Sequence, residues 1–300
     1  MTRAAPALSV IVAATGPLDG VPDCVRTLLQ YPGPRELEIM LAYAAEGELL
    51  DERSEAYSRV IFIRVWKEAS LPQLLGKAIP RARGEIVAVT DATCAIDARW
   101  VVATLAAHAA SDPVVGGAVE PDGLNTLVDW AGYFCDYGAF MFPLRPGVVR
   151  HVPGINISFK RSALAKGRKF VAGEFWKAYW CQELKAEGFV LRIEPSMLVF
   201  YRKSFSLLPF LRLRFYHGRC FAGMRLTQLT RLQRVKFVLG SPLLPVVFCA
   251  RFLKNMLPKR RYVRQLVLSF PIVTFAMISW ALGEFCGYVA GAGASCGRVR

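Results

Sequence analysis

Asp91 stands just past a run of β-branched and small apolar residues from Ile86 to Val89, and Thr93 follows it by two positions. A run with no alternate polar positions reads as a strand buried on both faces of a parallel sheet. Ligands of open α/β sheets bind beyond the carboxyl ends of the strands, so a carboxylate there is placed to meet a nucleotide, directly or through a metal ion. The plainer reading is that Asp91 and Thr93 close a turn and that Asp97 caps the helix before Trp100. Asn156 lies between Ile155 and Ile157; an amide buried there needs partners, which a turn or a strand can supply.

The elements that must carry these residues follow from the chain's patterning. Leu8 to Ala13, Glu38 to Tyr43 and Val60 to Val65 read as strands, with helices near Asp23 to Leu29 and over Leu71 to Ala82. Strands and helices alternating at this spacing predict an α/β fold with a mostly parallel sheet. The apolar stretch from Ala4 to Ala14 is short and β-branched at its centre, which suits a first strand better than a signal peptide.

Charge divides the chain. Residues 201–300 carry 17 Lys and Arg against one acidic residue, and residues 1–200 carry 21 against 22. The basic third also holds the long apolar runs, so it points to anionic membrane lipids as partner and away from nucleic acid. Eight scattered cysteines without a C-x-x-C pair, and three histidines, argue against a zinc site or a disulfide framework and suit a reducing compartment.

Four segments in order resemble family 2 glycosyltransferases of GT-A fold. They are Leu8-Ser-Val-Ile-Val, then Gly84-Glu-Ile-Val-Ala-Val-Thr-Asp with Trp100-Val, then Pro153-Gly-Ile-Asn-Ile-Ser-Phe-Lys-Arg-Ser-Ala-Leu, and Phe215-Tyr-His-Gly-Arg-Cys-Phe-Ala-Gly. The resemblance implies a nucleotide-sugar-binding domain that transfers a sugar to a hydroxyl acceptor by an inverting route. It implies donor contacts at Asp91 and Thr93, and a divalent metal, Mg or Mn, at Asp91. The family's D-x-D motif reads Asp91-Ala92-Thr93 here, one carboxylate short. Glu46 stands near the place of the family's uracil-side acid, and is as readily a solvated loop charge.

The same likeness implies a general base at Glu174, at the start of a helix running from Gly173 to Gly188, with Glu183 as the alternative. In a first helical turn Glu174 would stay ionised, as an ordinary first-turn Glu also does. Asn156 and Trp176 become acceptor contacts. His217 and Arg219 become contacts to the departing diphosphate, or else members of an interfacial amphipathic helix.

The domain reading is a GT-A domain over 1–205, basic interfacial helices over 206–236 and a membrane region over 237–300. Within the last, 237–250 is a re-entrant or short span and 266–292 a transmembrane helix. The basic stretch between them places the catalytic domain at the cytoplasmic face of the cell membrane. The acceptor expected is a lipid-linked or surface glycan; a polyprenyl-phosphate sugar synthase and a non-catalytic membrane scaffold are the alternatives.

Overall fold

The computed structural model describes residues 5–16, 18, 20–33, 37–47, 52, 54–109, 112–166, 174–226 and 229–299. In chain order the elements are β1 (Leu8–Ala14), α1 (Asp23–Leu29), β2 (Leu37–Ala44), β3 (Val60–Val65), α2 (Leu71–Ala78), β4 (Ile86–Asp91), β5 (Cys94–Ile96) and α3 (Trp100–Ala107). There follow β6 (Val114–Pro121), α4 (Leu127–Asp136), β7 (Gly147–Val149), β8 (Asn156–Lys160), α5 (Arg161–Lys166), α6 (Lys177–Ala186) and β9 (Leu191–Tyr201). The last are α7 (Leu207–Arg225), α8 (Arg231–Gly240), α9 (Leu244–Met256) and α10 (Val263–Ala290). The chain divides into two units, Met1–Asp122 with Phe140–Arg202, and Gly123–Ala139 with Lys203–Arg300.

The first unit is built on one sheet in the order β3-β2-β1-β4-β8-β6-β9-β5, with β7 added on β9. Strands β1 to β4 pair in parallel as the sequence predicts, and all of β1 and β2 is buried. Beyond β4 the sheet becomes mixed: β8 runs antiparallel to both β4 and β6, and β6 parallel to β9. The expectation of a mostly parallel sheet therefore holds for β1 to β4, and beyond them parallel and antiparallel pairs mix.

At the amino ends of the strands a buried polar knot closes the sheet. Ser9 Oγ donates to Glu38 Oε2 at 2.6 Å, and Arg83 donates to the same carboxylate from its backbone N–H and its Nε. The Gly84 N–H completes it by donating to Ser9 Oγ at 2.7 Å. A Cβ on Gly84 would stand 2.4 Å from the Ser9 nitrogen, so the knot requires glycine there. Arg161, within the Phe159-Lys-Arg segment, donates to the Gly84 and Ala82 carbonyls and ties β8 to the same end.

The second unit is helical. α7 and α10 pack backbone to backbone through small residues, since a Cβ on Gly218 would lie 2.2 Å from the Trp280 carbonyl and one on Gly283 2.1 Å from that of Phe215. Arg234 donates to the Tyr288 and Val289 carbonyls and so caps the end of α10, where cations are favoured. Arg214 pairs with Asp136, and Trp130 of α4 packs on Tyr262 with ring centroids 4.8 Å apart.

Two helical runs, Arg231–Lys259 and Val263–Ala290, are long and apolar enough to cross a membrane by length and composition. The sequence reading took 237–250, an apolar run broken by Pro242 and Pro245, as a re-entrant or short span. Each proline occupies an opening position of a helical turn, where its missing N–H costs nothing. Exposed Val263, Val267, Phe275, Ile278, Leu282 and Val289 recur at helical spacing along α10. A disulfide joins Cys220 to Cys296, a correction to the argument against disulfides drawn from the scattered cysteines. A separation of 76 residues gives no local signal; the partners meet because the segment after α10 returns onto α7.

His108, at the end of α3, is buried between Ser158 Oγ (2.8 Å) and the Asp112 carbonyl (3.3 Å). Burial pushes it down from 6.5 to about 4. A histidine whose folded value is depressed gives stability that is full above 6.5 and is lost as pH falls toward 4, because only the unfolded chain takes the proton. Stability measured by denaturant titration should therefore fall by up to about 3 kcal/mol over that window. A His108→Gln variant should lose this step above pH 5; an unchanged pH profile in the variant would contradict the assignment.

Candidate functional site

Asp91 ends β4 at the carboxyl edge of the parallel half of the sheet. Its Oδ1 accepts two hydrogen bonds from Thr93, from the backbone N–H at 2.9 Å and from the hydroxyl at 2.7 Å. The Asp-x-Thr sequence is thus a turn in which Thr93 fixes the carboxylate's orientation. Asp97 makes a similar turn with the Arg99 N–H, one step before the helix start, so the N-cap position falls to Arg99.

Asn156 pairs with Thr90 across the antiparallel β4–β8 ladder. It is fully buried, accepts from the Trp100 indole N–H at 2.8 Å and donates to the Ala118 and Met197 carbonyls at 2.8 and 2.7 Å. Both amide hydrogens and the carbonyl are engaged by protein, so this side chain acts as a clasp among β6, β8, β9 and α3. The acceptor contact expected from the resemblance has no free amide hydrogen to use.

Glu174 precedes α6, which begins at Lys177 with Trp176 as its N-cap residue. The predicted first-turn placement is corrected: Glu174 is extended backbone, and Gly173 lies outside the described residues. Its carboxylate is held by two side chains, with Gln73 Nε2 donating to Oε1 at 2.9 Å and Trp176 Nε1 donating to Oε2 at 2.8 Å. The Phe175 N–H donates to the Pro72 carbonyl at 2.8 Å. These bonds dock the segment onto the start of α2, and a helix that follows a parallel strand starts at the sheet's carboxyl edge. Phe175 fills a cluster with Phe159 and Trp180, their centroids 4.6 to 5.8 Å apart.

Lys177 was not singled out by the sequence. Its Nζ donates to the Gly154 carbonyl. Burial pushes it down from 10.5 to about 8, while the Asp91 carboxylate, the next influence, favours the charged form. It therefore stays mostly protonated at neutral pH. The available signal was a lysine opening a helix, against the dipole.

The other expected residues are dispersed. Glu46 makes an exposed ion pair with Lys67 at 3.0 Å, beyond the end of β2. Glu183 lies further along α6 and is half-buried. His217 and Arg219 belong to the second unit. The His217 ring packs against Trp280 and is pushed down to about 4 by burial and then by Arg214, which leaves it neutral. Arg219 Nε donates to the Gly291 carbonyl at 3.1 Å.

As ligands for a divalent cation, the residues at the β4 edge are a poor set. One carboxylate is present, one of its oxygens is already occupied by Thr93, and a lysine ammonium acts on it. No three His, Cys, Asp or Glu side chains come together among the described residues.

No protein-family model matches the chain, and no curated protein matches it in sequence. Its structure is similar to that of the mannosyltransferase PcManGT from Pyrobaculum calidifontis in complex with GDP-Man and Mn2+. The TM-score is 0.53 at 13% identity, over 96% of this chain and 88% of that one. A second similar structure is GalNAc-T7 with UDP, GalNAc and Mn2+, with a TM-score of 0.48 and 13% identity, over 66% of this chain and 44% of that one. At such identity a likeness speaks to the fold. The mixed α/β sheet is of GT-A type, and C-terminal apolar helices follow it.

Proposed function

We propose that the chain is a membrane-bound, inverting glycosyltransferase that takes a sugar from a nucleotide-sugar donor. The observation that carries this reading is Asp91, oriented by Thr93 at the carboxyl edge of β4 in a GT-A type sheet. Asp91 and Thr93 face the donor, Glu174 acts as general base and Trp176 lies on the acceptor side. In the reaction an acceptor hydroxyl oxygen attacks the anomeric carbon and the bond to the diphosphate oxygen breaks. Glu174 takes the hydroxyl proton, and the nucleoside diphosphate leaves. Gln73 and Trp176 each donate to a different oxygen of Glu174, which fixes the carboxylate's plane.

A lipid-linked acceptor is supported by a cavity of about 570 Å³ in the second unit, walled by Phe134, Phe237 and Phe252 and bordered by Arg225 and Arg251, with Arg214 already paired to Asp136. Apolar walls with guanidinium groups suit an amphiphile with an anionic head. The same cavity favours a second reading, in which a polyprenyl phosphate oxygen is itself the attacking atom and no strong base is needed. The apolar stripes of the second unit support attachment to a membrane, and the basic residues around Arg260 support a cytoplasmic position for that turn.

Purified protein should release nucleotide from one member of a panel of UDP-, GDP- and dTDP-sugars in the presence of lipid extract. Asp91→Asn should abolish this release. Glu174→Gln should lower turnover about 10²- to 10⁴-fold with a hydroxyl acceptor. A loss below about tenfold in Glu174→Gln would select the phosphate-acceptor reading, and no release from any donor would favour a scaffold. Trypsin should cut at Arg260 and Arg261 in sealed inside-out vesicles; cleavage confined to right-side-out vesicles would contradict the orientation.

A further inference from the structure

Lys177 occupies a position that opposes its charge. It is the first residue of the ten-residue helix α6, where the positive end of the dipole disfavours a cation. Its side chain is half-buried, and that burial also disfavours charge. Of its three N–H donors, one is spent on the Gly154 carbonyl, and the other two have no acceptor among the described residues.

The register locates that ammonium. Asn156 opposes Thr90, the last residue but one of β4, so the turn of Gly154 and Ile155 that leads into β8 lies at the carboxyl end of β4. A lysine bound to the Gly154 carbonyl therefore sits over the edge where a donor diphosphate would lie. Asp91 is the charged group that acts on it most strongly. The Asp-x-Thr turn, meanwhile, lacks the second carboxylate a divalent ion would need and uses its remaining hydroxyl to hold Asp91.

Resting on the donor reading above, we propose that the Lys177 ammonium takes the place of a divalent cation at the diphosphate, held by Gly154 and Asp91. The two remaining N–H groups donate to the diphosphate oxygens, and the chain binds its donor and releases the nucleoside diphosphate without a metal. A charged lysine is stabilised there because the ligand supplies a further anion. Asp91 serves as its counter-charge.

The test is calorimetric titration of full-length, detergent-purified protein with UDP, GDP and dTDP, and with the matching nucleosides, in EDTA and in MnCl2. One nucleoside diphosphate should bind in EDTA about as tightly as in Mn2+. Lys177→Met should weaken that diphosphate about 10- to 100-fold, the size of a lost charge-assisted bond pair, and leave the nucleoside's affinity unchanged. Lys177→Arg should restore most of the loss, and unchanged nucleoside binding shows that the variants are folded. Binding that disappears in EDTA and returns with Mn2+ would overturn the proposal and leave the donor reading standing. A Lys177→Met protein that binds the diphosphate normally would make Lys177 a structural latch and would overturn it too. Failure of every nucleotide and nucleoside to bind would instead remove the donor reading, and this inference with it.

Discussion

The first unit depends on the hydrogen bonds of one buried amide. Asn156 joins the Trp100 indole to the carbonyls of Ala118 and Met197, where parallel and antiparallel halves of the sheet meet. The β6–β9 register shifts between Gly117 and Ala118, beside this clasp. A Cβ on Gly117 would lie 2.2 Å from the Asn156 nitrogen and 1.9 Å from the Met197 carbonyl, so the shift is possible only with glycine. Leaving two carbonyls and an indole N–H unpaired in the interior would cost roughly 1–3 kcal/mol for each group. By holding β8 against β4 and β6, the clasp sets the path of Ile155 and Gly154, and through Gly154 the position of Lys177.

The two ends of the sheet show different chemistry. At the amino end, Ser9, Glu38, Arg83 and Gly84 satisfy one another in a closed knot. At the carboxyl end, the Asp91 turn and the Glu174 segment are oriented by neighbours, and a cation is placed against a helix dipole. In the proposed reading the edge that spends stability in this way is the one that meets the donor.

Much of this was legible from residue order. The uninterrupted β-branched run from Ile86 to Val89 located β4 and with it Asp91, because a strand buried on both faces has no polar alternation to confuse. The Pro153 to Leu164 segment identified β8, although Asn156 proved to be a clasp for backbone carbonyls that lie 38 and 41 residues away. Such partners are invisible in a local pattern. Glu174 was found, but the helix was begun three residues early, since Phe175 and Trp176 fit an apolar helical face as well as they fit an extended docking segment. Lys177 was passed over because its meaning lies in the Gly154 carbonyl and the Asp91 field, both supplied by distant strands. The disulfide and the continuous run from Arg231 to Lys259 likewise depend on packing and on proline position within the turn, which composition does not encode.

The most direct test of the account is the structure of the detergent-solubilised chain with an intact, non-hydrolysable nucleotide-sugar bound. The account predicts the diphosphate beyond the carboxyl end of β4, with an oxygen about 3 Å from Lys177 Nζ and the sugar between Asp91 and Glu174. A nucleotide seated in the second unit, or one whose diphosphate lies away from the β4 edge, would contradict it.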